Sequence, residues 1–409
     1  MRTCLLILLL ILPTVVQARI IKVCSDCSIS SLGEAIELAN DGDEIRLLSG
    51  FYKEYNLSIK KRLSIVGIDH PIIDGDQENE ILIIEADSVL IEGITFQNSG
   101  KSQIKDLAAI RVKRHDYFTI RNNRIIDAFF GVFIENGRNG VIENNYLISK
   151  ATNEMSSGNA IHCWYASGLT IKDNKIYQYR DGIYLEFVDQ TQVINNFSEG
   201  NIRYGLHFMF SNDNLYHCNT FMANGAGVAV MFSKRIQMLE NTFKNNWGRS
   251  AYALLLKEIY DAEIKDNLFE KNTIGILLEG STRLEYQNNT FIHNGWAIQM
   301  SGGCLDNTFT KNNFLFNTLD LVVKSRMNNN TFNGNYWSEY TGYDLDKDGI
   351  GDIPHRPVKL FSYILEKAPE SIILLRSFFV DLLNFSEKVS PVFTPENVLD
   401  LQPLIQTIP

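Results

Sequence analysis

An asparagine followed two residues later by a large apolar side chain recurs through the middle of this chain. It stands at Asn123, Asn145, Asn174, Asn196, Asn219, Asn241, Asn267, Asn289, Asn307 and Asn330, with successive gaps of 22, 29, 22, 23, 22, 26, 22, 18 and 23 residues. A period in this range marks a solenoid, whose units cannot bury their apolar faces alone and must stack. Asn196 fits poorly, since Ser198 takes the apolar place. Elsewhere that place is often phenylalanine: Phe221, Phe243, Phe269, Phe291, Phe309 and Phe332 are expected to stack coil upon coil inside. Asparagine tolerates left-handed backbone and bonds neighbouring peptide groups, so it suits the corners.

Between the asparagines lie short stretches of period-2 alternation broken by Asn, Gly and Asp, with no helical period. Leucine-rich and α-solenoid repeats are thereby excluded. The expected fold is all-β: a right-handed parallel β-helix, a pectate-lyase-like solenoid, over residues 55–335. Residues 19–54 read as an N-terminal cap. Ser31 and Glu34 have the spacing of a capping box, and Leu32, Ala35, Ile36 and Ala39 form one apolar stripe. A helix laid over the open end would block edge pairing there. The longer gaps, at Lys150–Gly158 and Asn245–Ser250, predict loops inserted on one face.

Register follows from aligning Gly131, Ala160, Gly182, Gly205, Gly227, Ala253, Gly275 and Ala297. The first and third residues after each are apolar and belong inside, Cys163 and Met300 among them. The second and fourth point outward: Phe133/Glu135, His162/Trp164, Tyr184/Glu186, His207/Met209, Ala229/Met231, Leu255/Lys257, Leu277/Glu279 and Gln299/Ser301. A strip of His, Trp, Tyr and Met is not a plain solvated face. Its bland explanation is a face covered by a loop or partner, with methionine filling gaps. Its sharper one starts from neighbouring coils lying about 4.8 Å apart. His207, Met209 and Met231 then share one patch, with Ala229 leaving room beside the imidazole. Imidazole with thioethers is ligand chemistry that suits Cu(I). His162 and Glu186 are secondary candidates, Glu186 as a group that orients an imidazole. His217, next to Cys218, and His293 read as ordinary turn residues.

The ends of the chain are different. Residues 1–18, with Arg2, the apolar run Leu5–Leu12 and Val16-Gln17-Ala18, read as a cleaved secretory signal, so the mature protein is expected to be exported and soluble. Cys24 and Cys27 form a CxxC, either a disulfide pinning the N-terminus or a metal clip. A net charge of −10 without a long basic run argues against a nucleic-acid partner. In residues 336–357, Asp344, Asp346, Asp348 and Asp352 take positions 1, 3, 5 and 9 of a calcium loop, with Gly349 at 6. Position 12 is His355 rather than Glu, so an acidic turn closing the solenoid is the other reading. Residues 358–409 form an apolar helical tail, over Leu360–Leu365 and Ser371–Val389, that either caps the last coil or docks on a partner. Arg376 and Asp381 argue against a membrane span. On the docking reading, removing residues 371–409 should spare the coils and abolish association.

With these residues in view, the sequence resembles the NosD-type accessory proteins of nitrous-oxide reductase maturation. The likeness covers nearly the whole mature chain. It is most specific at Arg203–Asp213, Ala253–Lys257, Asn335–Ser338, Gly342–Pro357 and the tail from Leu360 to Leu404. The resemblance implies a periplasmic protein that is not a catalyst. It implies work with an ABC transporter of permease and ATPase subunits, copper received from a lipoprotein chaperone, and copper passed towards nitrous-oxide reductase for its copper–sulfur cluster. It supplies no ligand set, so His207, Met209 and Met231 rest on register alone. A polysaccharide lyase, a glycosidase or a carbohydrate-binding β-helix is the competing class. Glu135, Glu186 and Glu279 lie on the right face for it but lack the second acid that a glycosidase needs, and Lys257 has no Asp partner on its strip, as a lyase would want. A structural adhesin is a third reading.

Overall fold

The computed structural model describes residues 18–102, 104–248, 251–324, 329–375, 377–389 and 398–409. The expected signal segment, apart from its last residue, and Arg376 and Ser250 lie outside them. Three parallel sheets of 14, 12 and 13 strands run the length of the solenoid, and each coil gives one strand to each sheet in turn. Equivalent positions pair directly, as in Leu206↔Val228 and Val228↔Leu254, so the aligned apolar positions meet inside. Cys163 and Met300 are buried there. The sheets also begin earlier and end later than residues 55 and 335. Ile20–Val23 already pairs with Glu44–Leu47, and Tyr336–Trp337 still pairs with Asn313–Leu315.

Inside, Phe221, Phe243, Phe269, Phe291, Phe314 and Trp337 form one column, with successive ring centroids 5.5, 4.7, 4.8, 5.0 and 4.0 Å apart. Phe309 and Phe332 belong to a second column that starts at Tyr286. The asparagines divide in the same way. One ladder runs Asn123, Asn145, Asn174, Asn196, Asn219, Asn241, Asn267, Asn289, Asn312 and Asn335. At each rung the backbone N–H donates to the next side-chain carbonyl, and the side-chain NH₂ donates to a main-chain carbonyl of the previous coil, as Asn219 does to Val193. Asn307 and Asn330 lie on a different ladder, so the odd 18-residue gap was a change of row. Ser198 remains buried under Asn196 because its hydroxyl bonds the Gly205 carbonyl.

At the N-terminal end, helix α1 (Leu32–Leu38) turns Leu32, Ala35 and Ile36 inward. Ser31 Oγ accepts from Glu34 N at 3.3 Å, but the carboxylate of Glu54 takes the remaining free N–H groups, Leu32 and Gly33. Cys24 and Cys27 form a disulfide.

The tail is built in two parts with two destinations. Helix α2 (Leu360–Lys367), a 3₁₀ turn (Pro369–Leu374) and helix α3 (Phe378–Val389) come first. Residues from Ser371 to Leu374 are thus in a 3₁₀ turn and not the start of a long helix, since Pro369 opens a fresh turn. Phe361, Leu365 and Val380 pack on Leu319 and Val322 of the last strand in the 12-stranded sheet. Residues 398–409 then return to the end of the solenoid. Asp400 bridges to Phe332 and His355, Leu404 bridges to Tyr336, and Ile408 exchanges hydrogen bonds with the side chain of Asn313. Removing all of 371–409 would therefore uncap the coils, contrary to the expectation above.

Candidate metal-handling face

The outer face of the 12-stranded sheet carries the residues singled out by register. Its strands place His207 against Tyr184 on one side and Ala229 on the other, and Met209 between Glu186 and Met231. His207 and Met209 leave the strand Tyr204–Met209 on the same side because alternate residues share a face. The expected alignment of the three side chains on one surface is the one the backbone adopts.

The face is not open, however. His207 is only 7% exposed, and Ala229 beside it is fully buried, so the vacant space expected there is filled. The imidazole lies between the rings of Tyr184 and Tyr204, each 4.8 Å away. Both ring nitrogens of His207 are buried and have no hydrogen-bond partner. A buried polar atom without a partner costs roughly 1–3 kcal/mol. Burial pulls the His207 pKa down to about 4; Arg203 and Arg180 act the same way and Asp181 opposes them. The ring is therefore neutral at ordinary pH, with a lone pair free to bind a soft cation. Met209 and Met231 are half-buried, and Tyr184 Oη lies 3.9 Å from Met209 Sδ.

The secondary candidates serve other ends. His162 Nδ1 is 3.0 Å from Asn159 Nδ2, and its ring packs against Phe133, Tyr184 and Phe130. Burial, reinforced by Arg180 and Arg111, holds its pKa near 3. Glu186 reaches the Tyr184 hydroxyl and not an imidazole. Asp181, fully buried, takes Arg203 Nε at 2.9 Å, and that guanidinium covers the Tyr204 ring. Arg111 and Arg114 lie beside Glu135, and Lys257 is 3.6 Å from Glu279, so these two acids of the strip are paired with cations.

In the acidic loop, carboxylate oxygens of Asp344, Asp346 and Asp348 lie within 4.8 Å of one another. Asp352, expected as a fourth ligand, instead accepts from Leu345 N at 2.8 Å. His355 is bonded through its backbone to Asp400. A cluster that residue spacing missed lies on another face. His217, Cys218 and Glu240 converge at the corner between the 14- and 13-stranded sheets.

Among the described residues, no helix is long and apolar enough to cross a membrane. The fold and this face define a parallel β-helix with a buried imidazole and two half-buried thioethers side by side on an outer sheet surface. A family model described as periplasmic copper-binding protein (NosD) matches residues 148–342, and one for the right-handed β-helix region matches residues 22–158. A Stutzerimonas stutzeri protein described as a probable ABC transporter binding protein NosD is 27% identical over 392 residues, 91% of this chain and 89% of its own. A Pseudomonas aeruginosa protein of the same description is 25% identical over 403 residues, 92% and 93% of the two chains. Over about nine-tenths of its length the chain is thus similar to proteins described as NosD. Of solved structures, the catalytic domain of a family 87 α-1,3-glucanase aligns with a TM-score of 0.59 over 78% of this chain and 69% of its own. At 12% identity that likeness shows the shared right-handed β-helix and nothing of its chemistry.

Proposed function

We propose that this protein takes up Cu(I) in the periplasm at His207, Met209 and Met231 while docked on an ABC transporter, and passes it on for copper–sulfur cluster assembly in nitrous-oxide reductase. The single observation carrying this reading is the His207 imidazole, buried without a partner in the same patch as two thioethers. A packed face with no ligand to bind would be better served by phenylalanine there. Copper is the cargo in this scheme. His207 and the two methionines would hold it, while the Tyr184 and Tyr204 rings exclude water and keep the ion from oxidation. The description of the family as copper-binding, and of two relatives as transporter-binding, supports it. Combining His207→Ala with Met209→Ala is expected to weaken Cu(I) binding about 100-fold in competition with a chromophoric chelator, through loss of two soft ligands. Unchanged affinity would remove the site.

The docking part of the proposal rests on the tail. Helices α2 and α3 sit on the same sheet face as the copper patch, four strand spacings beyond Met231, about 19 Å. Ile373, Phe378, Phe379, Leu382, Phe385 and Val389 nevertheless remain exposed, Phe378 by 80%. An apolar surface of this kind marks a protein contact. Phe378→Asp together with Phe385→Asp should abolish co-purification with the membrane transporter and leave the melting temperature within a few degrees of the parent. Retained co-purification would place the contact elsewhere. Calcium in the Asp344–Asp352 loop, the chaperone lipoprotein as donor and the reductase as acceptor are further parts of the same proposal.

A further inference from the structure

The coil that carries His207 also carries His217 and Cys218, at the corner where the 14-stranded sheet hands over to the 13-stranded one. Adjacent strand residues normally point to opposite faces. Cys218 does not follow that rule, because its φ is +56°. The left-handed turn brings its sulfur alongside the histidine that precedes it. Cys218 Sγ lies 3.4 Å from His217 Nε2 and 3.7 Å from Glu240 Oε2, and His217 Nε2 lies 3.3 Å from Glu240 Oε1. Glu240 occupies the same corner one coil further on, also left-handed.

Left-handed backbone is unfavourable for a residue with a Cβ, and Asn and Asp bear it best. Asp173 and Asn195 before the pair, and Asp266 and Asn288 after it, follow that preference. Two successive coils abandon it at once, and the side chains they substitute are a thiol and a carboxylate beside an imidazole. The S···N separation has the size that one cation requires, and Glu240 offers one oxygen to the sulfur and the other to the nitrogen, with one ligand atom from each residue within 4.8 Å of the rest. With metal–sulfur near 2.3 Å and metal–nitrogen or –oxygen near 2.0–2.2 Å, the edges of a tetrahedron are about 3.6 Å for S···N and S···O and about 3.3 Å for N···O. The donors need little movement to close on an ion.

We propose that His217, Cys218 and Glu240 form a binding site for a borderline divalent cation of the Zn²⁺ type. Three protein ligands leave the fourth position to water or to a ligand from another molecule. A mixed S, N, O set suits Zn²⁺ better than Cu(I), which prefers all-soft donors, or Ca²⁺, which prefers oxygen. On binding, Cys218 loses its thiol proton to solvent and coordinates as the thiolate. The apolar neighbours of His217 in register, Ile194 and Leu239, flank the imidazole. The site is independent of the copper patch, which uses another sheet of the same coil.

Co²⁺ is the probe, because a cobalt–thiolate bond gives a charge-transfer absorption that imidazole and carboxylate ligands do not. The full mature protein with its disulfide intact should bind one equivalent with that band, and Zn²⁺ should displace it. Cys218→Ser should lose the band and weaken Co²⁺ binding roughly 100-fold, and Glu240→Gln should weaken it at least tenfold with the band retained. Both positions lie at a solvent-facing corner, and circular dichroism with the melting temperature verifies that each variant is folded. Absence of the band from the parent, or undiminished binding in folded Cys218→Ser, overturns the proposal.

Discussion

Asp400→Ala should destabilise the C-terminal coils by roughly 3–5 kcal/mol, the range expected when several buried donors lose a charged acceptor. Asp400 is fully buried, and its carboxylate closes the asparagine ladder. One oxygen accepts from Gly334 N and Gln402 N, the other from Asn335 N, Asn335 Nδ2 and Trp337 Nε1. Every earlier rung receives its acceptor from the following coil. Asn335 has no following coil, so an acceptor arrives from 65 residues away. Asp400→Asn should fall between parent and alanine, because an NH₂ must then face other donors. Stability in a repeat protein is close to a sum of local and nearest-neighbour contributions, so the loss should be local. Hydrogen exchange should show lower protection in Leu305–Thr310 and Tyr336–Trp337, with the N-terminal coils unaffected. Equal protection throughout would mean that the ladder needs no terminator.

His207→Phe should stabilise the metal-free protein in acid while abolishing the Cu(I) uptake proposed above. The folded-state pKa of His207, about 4, lies below the value near 6.5 of an unfolded histidine. The neutral ring therefore supports the fold fully above about pH 6.5, and that support is lost as pH falls towards 4, because the unfolded chain takes a proton the folded one refuses. At pH 4 the loss from His207 alone is roughly 3 kcal/mol. His162, with a pKa near 3, adds to it in the same direction. Phenylalanine fills similar space between Tyr184 and Tyr204 without two unpartnered nitrogens, so stability at pH 7 should be equal or higher. Denaturant melts from pH 7 to pH 4 on parent and variant measure the difference. A parent curve parallel to that of the variant would mean that His207 is not neutral and buried. Stability gained together with uptake lost is the pattern of a residue kept for function.

Period and register were legible in the residues, because alternation within a strand and 22-residue steps between strands leave little choice once one alignment is made. Depth was not. Tyr204 and Tyr184 cover His207 from neighbouring strand positions, and a pattern of facing directions says nothing about how far a ring leans across. The asparagine rows were confused at Asn307 because a coil has several corners that favour the same residue, and spacing alone does not distinguish Asn307 from Asn312. The Cys218 cluster escaped for a different reason: alternation sends His217 and Cys218 to opposite faces, and only the left-handed φ reunites them. Asp400 carries no local signal, since its partners are remote in sequence.

The ladder has a direction, since every backbone N–H along it points to the coil that comes next. Any internal coil thus offers its neighbours the same donors and acceptor as any other. Coils could be lost or duplicated in the history of such a chain without redesigning the joint, and the solenoid could lengthen or shorten to suit the partners on its sides. The ends have no such freedom: the carboxylate that stops the sequence of amides must travel with the last coil, wherever that coil falls.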